Sequence, residues 1–158
     1  MNQYSLGADA FEWLGVQYRP LLRTKDSGGA ISITESLAPA GSGPPRHVHH
    51  DADETLSILT GSIEVWHEGE RSVVHAGEAV FIPRGREHTF RVTSEGPARH
   101  LIILTPGGFE GFFAEMAAGQ FAIPDDMPAI IESGERHQLS FTGPPLADDP
   151  PLAIASEG

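Results

Sequence analysis

The chain contains no cysteine in its 158 residues. Disulfides, thiolate metal ligands and cysteine nucleophiles are therefore excluded. Positive charge is scarce as well: 10 Lys and Arg stand against 22 Asp and Glu, for a formal net charge of −12. So acidic a chain lacks the basic patches that nucleic acid and anionic membrane surfaces reward, and neither is expected as a partner. Apolar runs are short, and none approaches the roughly 20 residues needed to span a bilayer. The opening stretch, "MNQYSLGADAFEWLGV", has neither a basic n-region nor a continuous apolar core, so no signal peptide is expected and a cytoplasmic location is.

Turn formers are plentiful, with 18 Gly and 13 Pro, and they favour many short elements over long helices. The length suits one domain with a core of its own. From residue 29 to 105 the chain breaks into "AISITESL", "ETLSILT", "SIEVWHE", "RSVVHA", "AVFIP", "HTFRV" and "RHLIILT". Each run is strand-like in length and in β-branched or aromatic content. Turns fall between them at Thr60-Gly61, Glu68-Gly69-Glu70, Ala76-Gly77-Glu78 and Pro83-Arg84-Gly85. Many short strands with regular turns predict an all-β sandwich or barrel. "FEWLGVQYRPLLRT" adds one or two further strands, so residues 1–28 are expected to form N-terminal strands at a dimer interface.

"GGFEGFFAEMAAG" breaks the pattern. Phe109, Phe112, Phe113 and Met116 recur at helical spacing, and Gly119 stands where a C-cap would. This predicts a short helix packed on the outside or mouth of the barrel, its aromatics facing the core. A second helix is expected to begin near Pro128. The segment 106–140 is thus read as C-terminal helices, and 141–158, rich in Pro and Asp, as a loose tail. No internal repeat is visible, which argues for a single barrel.

The unusual stretch is "GSGPPRHVHHDADETLSILTG", residues 41–61, which crowds imidazoles and carboxylates between a turn and an apolar run. Such groups are costly to bury unless they pair or bind an ion. His47 and His49 are two apart, so on a strand both rings face one side. Glu54 opens the next strand, and "GEAVFIPRGREHTF" brings His88 onto another just after a turn. Three neutral imidazoles and one carboxylate suit one divalent transition metal ion: Fe, Mn, Ni, Co, Cu or Zn.

Gly41-x5-His47-x-His49-x4-Glu54-x6-Gly61 resembles the first cupin motif, and Gly77-x5-Pro83-x-Gly85-x2-His88 the second. Fifteen residues separate Gly61 from Gly77, as in compact bacterial cupins. The resemblance implies a single double-stranded β-helix, a jelly-roll-like barrel over 29–105, with metal ligands at His47, His49, Glu54 and His88. One departure is Val92, where the second motif usually ends in Asn, a position that is not a ligand.

Of the other histidines, alternation turns His50 away from the ligands, and His67, His75 and His137 are expected at the surface or in turns. His100 shares parity with Ile102 and Leu104 and is a candidate to face the pocket or support a ligand. Leu56 and Ile58, in parity with Glu54, and Phe90 and Val92, in parity with His88, predict an apolar pocket wall. Arg46 and Arg91 point outward, leaving no clamp for a small dianion.

The chain, "GGFEGFF" included, resembles small bacterial cupins grouped with quercetin dioxygenases. That implies a metal-dependent dioxygenase acting on a flavonol-like or other enolic, aromatic small molecule, with Glu54 as the catalytic base. The alternatives are a metal-dependent isomerase or lyase, and a non-catalytic small-molecule-binding cupin. A homodimer is expected from the same resemblance.

Overall fold

The computed structural model describes residues 5–93, 96–146 and 149–150. Eleven strands and two helices follow one another as β1 (Phe11–Trp13), β2 (Val16–Leu22), β3 (Ser32–Ala38), β4 (Pro45–His49), β5 (Asp53–Thr60), β6 (Ser62–His67), β7 (Glu70–His75), β8 (Ala79–Ile82), β9 (His88–Val92), β10 (Ala98–Thr105), α1 (Glu110–Gly119), α2 (Met127–Arg136) and β11 (Leu139–Pro145). They pair into a six-stranded sheet, ordered β1-β2-β3-β10-β5-β8, and a five-stranded sheet, ordered β11-β4-β9-β6-β7. The fold is the double-stranded β-helix, all-β apart from the two short helices. Among the described residues no helix is long and apolar enough to cross a membrane.

Strict alternation builds the interior. Along β10 every second residue is buried, placing Ala98, His100, Ile102 and Leu104 on the inner face. Along β5 the inward set is Glu54, Leu56 and Ile58. These meet Ile63, Val65 and Val92 of the facing sheet in one core. The β6–β7 hairpin turns through Glu68 (φ 49°) and Gly69 (φ 90°), the left-handed pair that a two-residue connection of matching twist requires.

The N-terminal run forms two strands, and β2 extends the sheet beside β3. Both helices form where expected, with one difference at the end of α1. Gln120 rather than Gly119 takes the left-handed capping position, its N–H donating to Met116 O at 2.9 Å. Gly119 instead leaves space for Phe121, whose ring atoms would lie 2.3 Å from an added Cβ.

The C-terminal segment departs furthest from expectation. Residues 141–145, read as the start of a loose tail, belong to β11, which pairs with β4 at the sheet edge. Beyond it Arg91 Nη1 donates to the carbonyls of Leu146 and Asp149, each at 2.9 Å, and Arg46 pairs with Asp149 at 3.0 Å. Residues 151–158 of that tail lie outside the described residues.

Candidate metal centre

The pleat of β4 buries Pro45, His47 and His49 and turns Arg46 and Val48 outward. His88 opens β9 directly opposite His47. Glu54 comes from β5 in the other sheet, where its neighbours across the ladder are Leu104 and Ile82. The two sheets thus supply three imidazoles and one carboxylate to a single point. All four side chains are buried, and one ligand atom from each lies within 4.8 Å of the others.

Backbone carbonyls fix the orientation of two rings. Nδ1 of His47 donates to Pro45 O at 2.8 Å, and Nδ1 of His88 donates to Arg86 O at 3.0 Å. A carbonyl can only accept, so in each neutral ring Nε2 keeps its lone pair. Nε2 of His49 and of His88 lie 3.0 Å and 3.4 Å from the Glu54 oxygens, yet neither makes a well-aligned hydrogen bond. Buried nitrogens without partners, gathered around a carboxylate, are what a cation at the centre would satisfy. The donor set therefore fits a divalent transition ion.

The charges are set by the same crowding. Burial, then the neighbouring His88 and His49, hold the His47 pKa well below its usual value. Burial acts to raise the Glu54 carboxyl, but the adjoining His49 and His88 outweigh it and keep the group well below the usual carboxylate range. For His88 burial pulls downward, while the nearby Glu54 carboxylate overcomes it and leaves the ring above its ordinary value. Glu54 is ionised at neutral pH, as a ligand must be.

A cavity of about 370 Å³ opens onto His47, His49 and Glu54. Phe109, Phe112 and Phe113 of the α1 region wall one side, and Phe109 meets the His49 ring edge-on at 4.4 Å. Trp13, Val16 and Tyr18 from the N-terminal strands form another side, with Tyr18 stacked on Phe113 at 4.5 Å. Of the four positions expected as pocket wall, Phe90 lines the cavity, whereas Leu56, Ile58 and Val92 pack into the core. The aromatics of α1 serve both purposes, since Phe112 is 4 % exposed yet lies on the cavity surface.

The arginines stand outside as expected: Arg46 lies 4.5 Å from the Trp66 ring centre, and Arg91 pairs with Glu64 at 2.6 Å. His50 is exposed and bonds Ser140 Oγ at 2.7 Å. His75 is exposed and His137 lies in the turn after α2, as expected, half-buried against Phe112. His67 differs: it sits opposite His88 on the same inner face, with Nε2 buried. Sequence reasoning missed the wall from β1, β2 and β11. Its only signal was the alternation of Trp13, Val16, Tyr18 and of Leu139, Phe141.

Residues 33–104 match the cupin domain family. That match covers a little under half of the chain, and the double-stranded β-helix agrees with it. The chain is 27% identical over 96 residues to quercetin 2,3-dioxygenase of Bacillus subtilis (strain 168), covering 61% of the chain and 28% of that enzyme. It is also 30% identical over 80 residues to endoribonuclease YbeY of Myxococcus xanthus (strain DK1622), covering 51% of the chain and 27% of that protein. Both matches span less than a third of the relative, and their names disagree, so neither activity transfers by likeness alone. Among solved structures, KdgF from Halomonas sp. superposes with a TM-score of 0.59 at 19% identity, over 66% of this chain and 91% of that one. That likeness is one of fold.

Proposed function

We propose that this protein is a metal-dependent dioxygenase that acts on a flavonol-like or other enolic, aromatic small molecule. The observation that carries the reading is the placement of a buried His47–His49–Glu54–His88 cluster at one end of an aromatic-walled cavity. A divalent transition ion bound there would polarise an oxygen function of the substrate and bring it together with dioxygen. The cavity volume falls in the range that takes small organic ligands, and its phenylalanines offer flat faces for stacking. Glu54, ionised and on the cavity surface, accepts the proton of the substrate's enolic hydroxyl. Phe109, edge-on to His49, keeps water from that side of the ring. The remote likeness to a quercetin dioxygenase supports the same reading.

The test is oxygen uptake by protein loaded separately with each candidate metal, offered a panel of flavonols, catechols and cyclic enols. Uptake that depends on metal and is lost in Glu54→Gln and His49→Ala is expected. Absence of uptake with every metal and substrate removes the assignment. The position of Glu54 also favours a second reading, isomerisation or lyase chemistry by proton transfer alone, which turnover under strictly anaerobic conditions would reveal. Saturable ligand binding without any turnover would indicate a binding protein.

A further inference from the structure

The cavity has a second polar end. Tyr18 on β2, Ser36 on β3 and His100 on β10 stand directly opposite one another across three neighbouring strands. Their side chains therefore share the inner face of the sheet. On β5 the residue at this level is Ile58, paired with His100, while Glu54 lies four residues earlier. At the rise of a strand this is about 13 Å from the Glu54 level. Tyr18 and Ser36 line the same cavity as His47, His49 and Glu54, so one space reaches both ends. The wall of the same cavity also carries Phe90, Phe112 and Phe113.

His100 gives this end its significance. The residue is 0 % exposed, and among the described residues neither ring nitrogen has a hydrogen-bond partner. Its ring contact, edge-on to Phe90 at 5.3 Å, leaves both nitrogens unanswered. Buried polar atoms left unpaired are a standing cost to the fold. A phenylalanine or leucine would fill this place without it. Burial holds the imidazole pKa at about 4, so near neutral pH it offers one N–H donor and one acceptor.

We propose that Tyr18, Ser36 and His100 form an oxygen-recognition subsite for a flat aromatic ligand. The ligand's enolic or catechol-like end lies at His47, His49, Glu54 and His88, and its far ring carries a phenolic hydroxyl or carbonyl. The proposal rests on the aromatic-substrate reading above. The hydroxyls of Tyr18 and Ser36 meet the ligand oxygen. His100 stands beside Ser36 but off the cavity surface, and acts as a positioning residue: its N–H donates to Ser36 Oγ once that hydroxyl turns to the ligand. Selectivity for oxygenated outer rings thus resides in the N-terminal half of the sheet, away from the metal ligands.

Calorimetric titration of the metal-loaded protein tests this, comparing a flavonol bare on its outer rings with counterparts carrying one added phenolic hydroxyl. At least one hydroxylated ligand is expected to bind wild type about tenfold more tightly. In Ser36→Ala, Tyr18→Phe and His100→Phe that gain shrinks to less than about twofold, while the bare flavonol keeps its affinity; equal weakening of both ligands is the signature of a purely structural role. No gain in wild type, a gain that persists in the variants, or no binding of any flavonol overturns the subsite. Should His100→Phe fail to fold, the two hydroxyl deletions decide. Oxygen uptake on the same samples separates the two claims. Preference without uptake leaves the subsite standing and removes the oxidation chemistry; uptake without preference does the reverse.

Discussion

His47 and His88 face each other across the β4–β9 pair with ring centres 4.3 Å apart, and each anchors its Nδ1 to the carbonyl two residues before it. The two strands thus repeat one local device: a backbone acceptor fixes the tautomer and leaves Nε2 free to bind a cation. Because the acceptors are backbone, the orientation survives substitution of neighbouring side chains.

Loss of an imidazole from this set should therefore act on the metal before it acts on the fold. Purified wild type is expected to hold one divalent ion per chain, whereas His49→Ala and His88→Ala fall well below stoichiometry. Their affinity should drop by more than the roughly 10- to 100-fold typical of residues that merely support a ligand. Elemental analysis and competition with a chromophoric chelator measure both. Metal at 100 times its dissociation constant adds about 2.7 kcal/mol to wild-type stability, so a chelator should lower Tm in wild type and leave the variants unmoved.

Acid stability should depend on His100. Its pKa is depressed from 6.5 in the unfolded chain to about 4 in the fold by burial. The unfolded chain binds the extra proton in that interval, so the stability is complete above pH 6.5 and is lost as pH falls toward about 4. A shift of this size corresponds to about 3 kcal/mol. Urea denaturation of metal-free protein across the interval should show the slope in wild type and a shallower one in His100→Phe. Glu54 contributes elsewhere: its depressed pKa gives stability present above 4.5 and lost below it. Identical slopes in the two proteins would contradict the account.

Arg91 should prove necessary for the C-terminal segment. It pairs with Glu64, which is 3 % exposed and also contacts Arg71, and it holds the Leu146 and Asp149 carbonyls. Arg91→Met removes one partner of a buried pair and three hydrogen bonds, for an expected loss of about 3 kcal/mol in urea unfolding. Limited proteolysis should then cut after residue 139 sooner than in wild type.

Gly43, on the loop that forms the cavity rim, lies against β9. An added Cβ would sit 1.9 Å from the Phe90 carbonyl oxygen, a backbone atom that cannot swing aside. Gly43→Ala should cost at least about 2 kcal/mol and displace Phe90 from the cavity wall. Thermal melting gives the first effect and weakened flavonol binding the second.

The four clustered residues His47, His49, Glu54 and His88 and most of the barrel were legible in the chain because their information is local. His47 and His49 point together through a period of two, and the spacing of the Gly and Pro turns sets Glu54 near the start of β5 and His88 at the start of β9, in the two facing sheets. Strands β5 to β10 carry their alternation in β-branched and aromatic residues, enough to mark them one at a time. The strand β11 escaped because Gly143, Pro144 and Pro145 read as part of a loose tail; at a sheet edge, with an irregular register to β4, prolines are tolerated.

The amino-acid sequence alone marked which side chains are candidates to bind an ion and on which face of each strand they stand, since alternation and turn chemistry act over a few residues. Tertiary structure alone decided which apolar residues bound the cavity and which fill the core. Trp13, Phe112 and Phe141 come together from the two ends of the chain, whereas Leu56 and Ile58, beside Glu54 in sequence, turn into the packing between the sheets. That division depends on how two curved sheets and a helix close around a volume, and no local pattern records a distance across it.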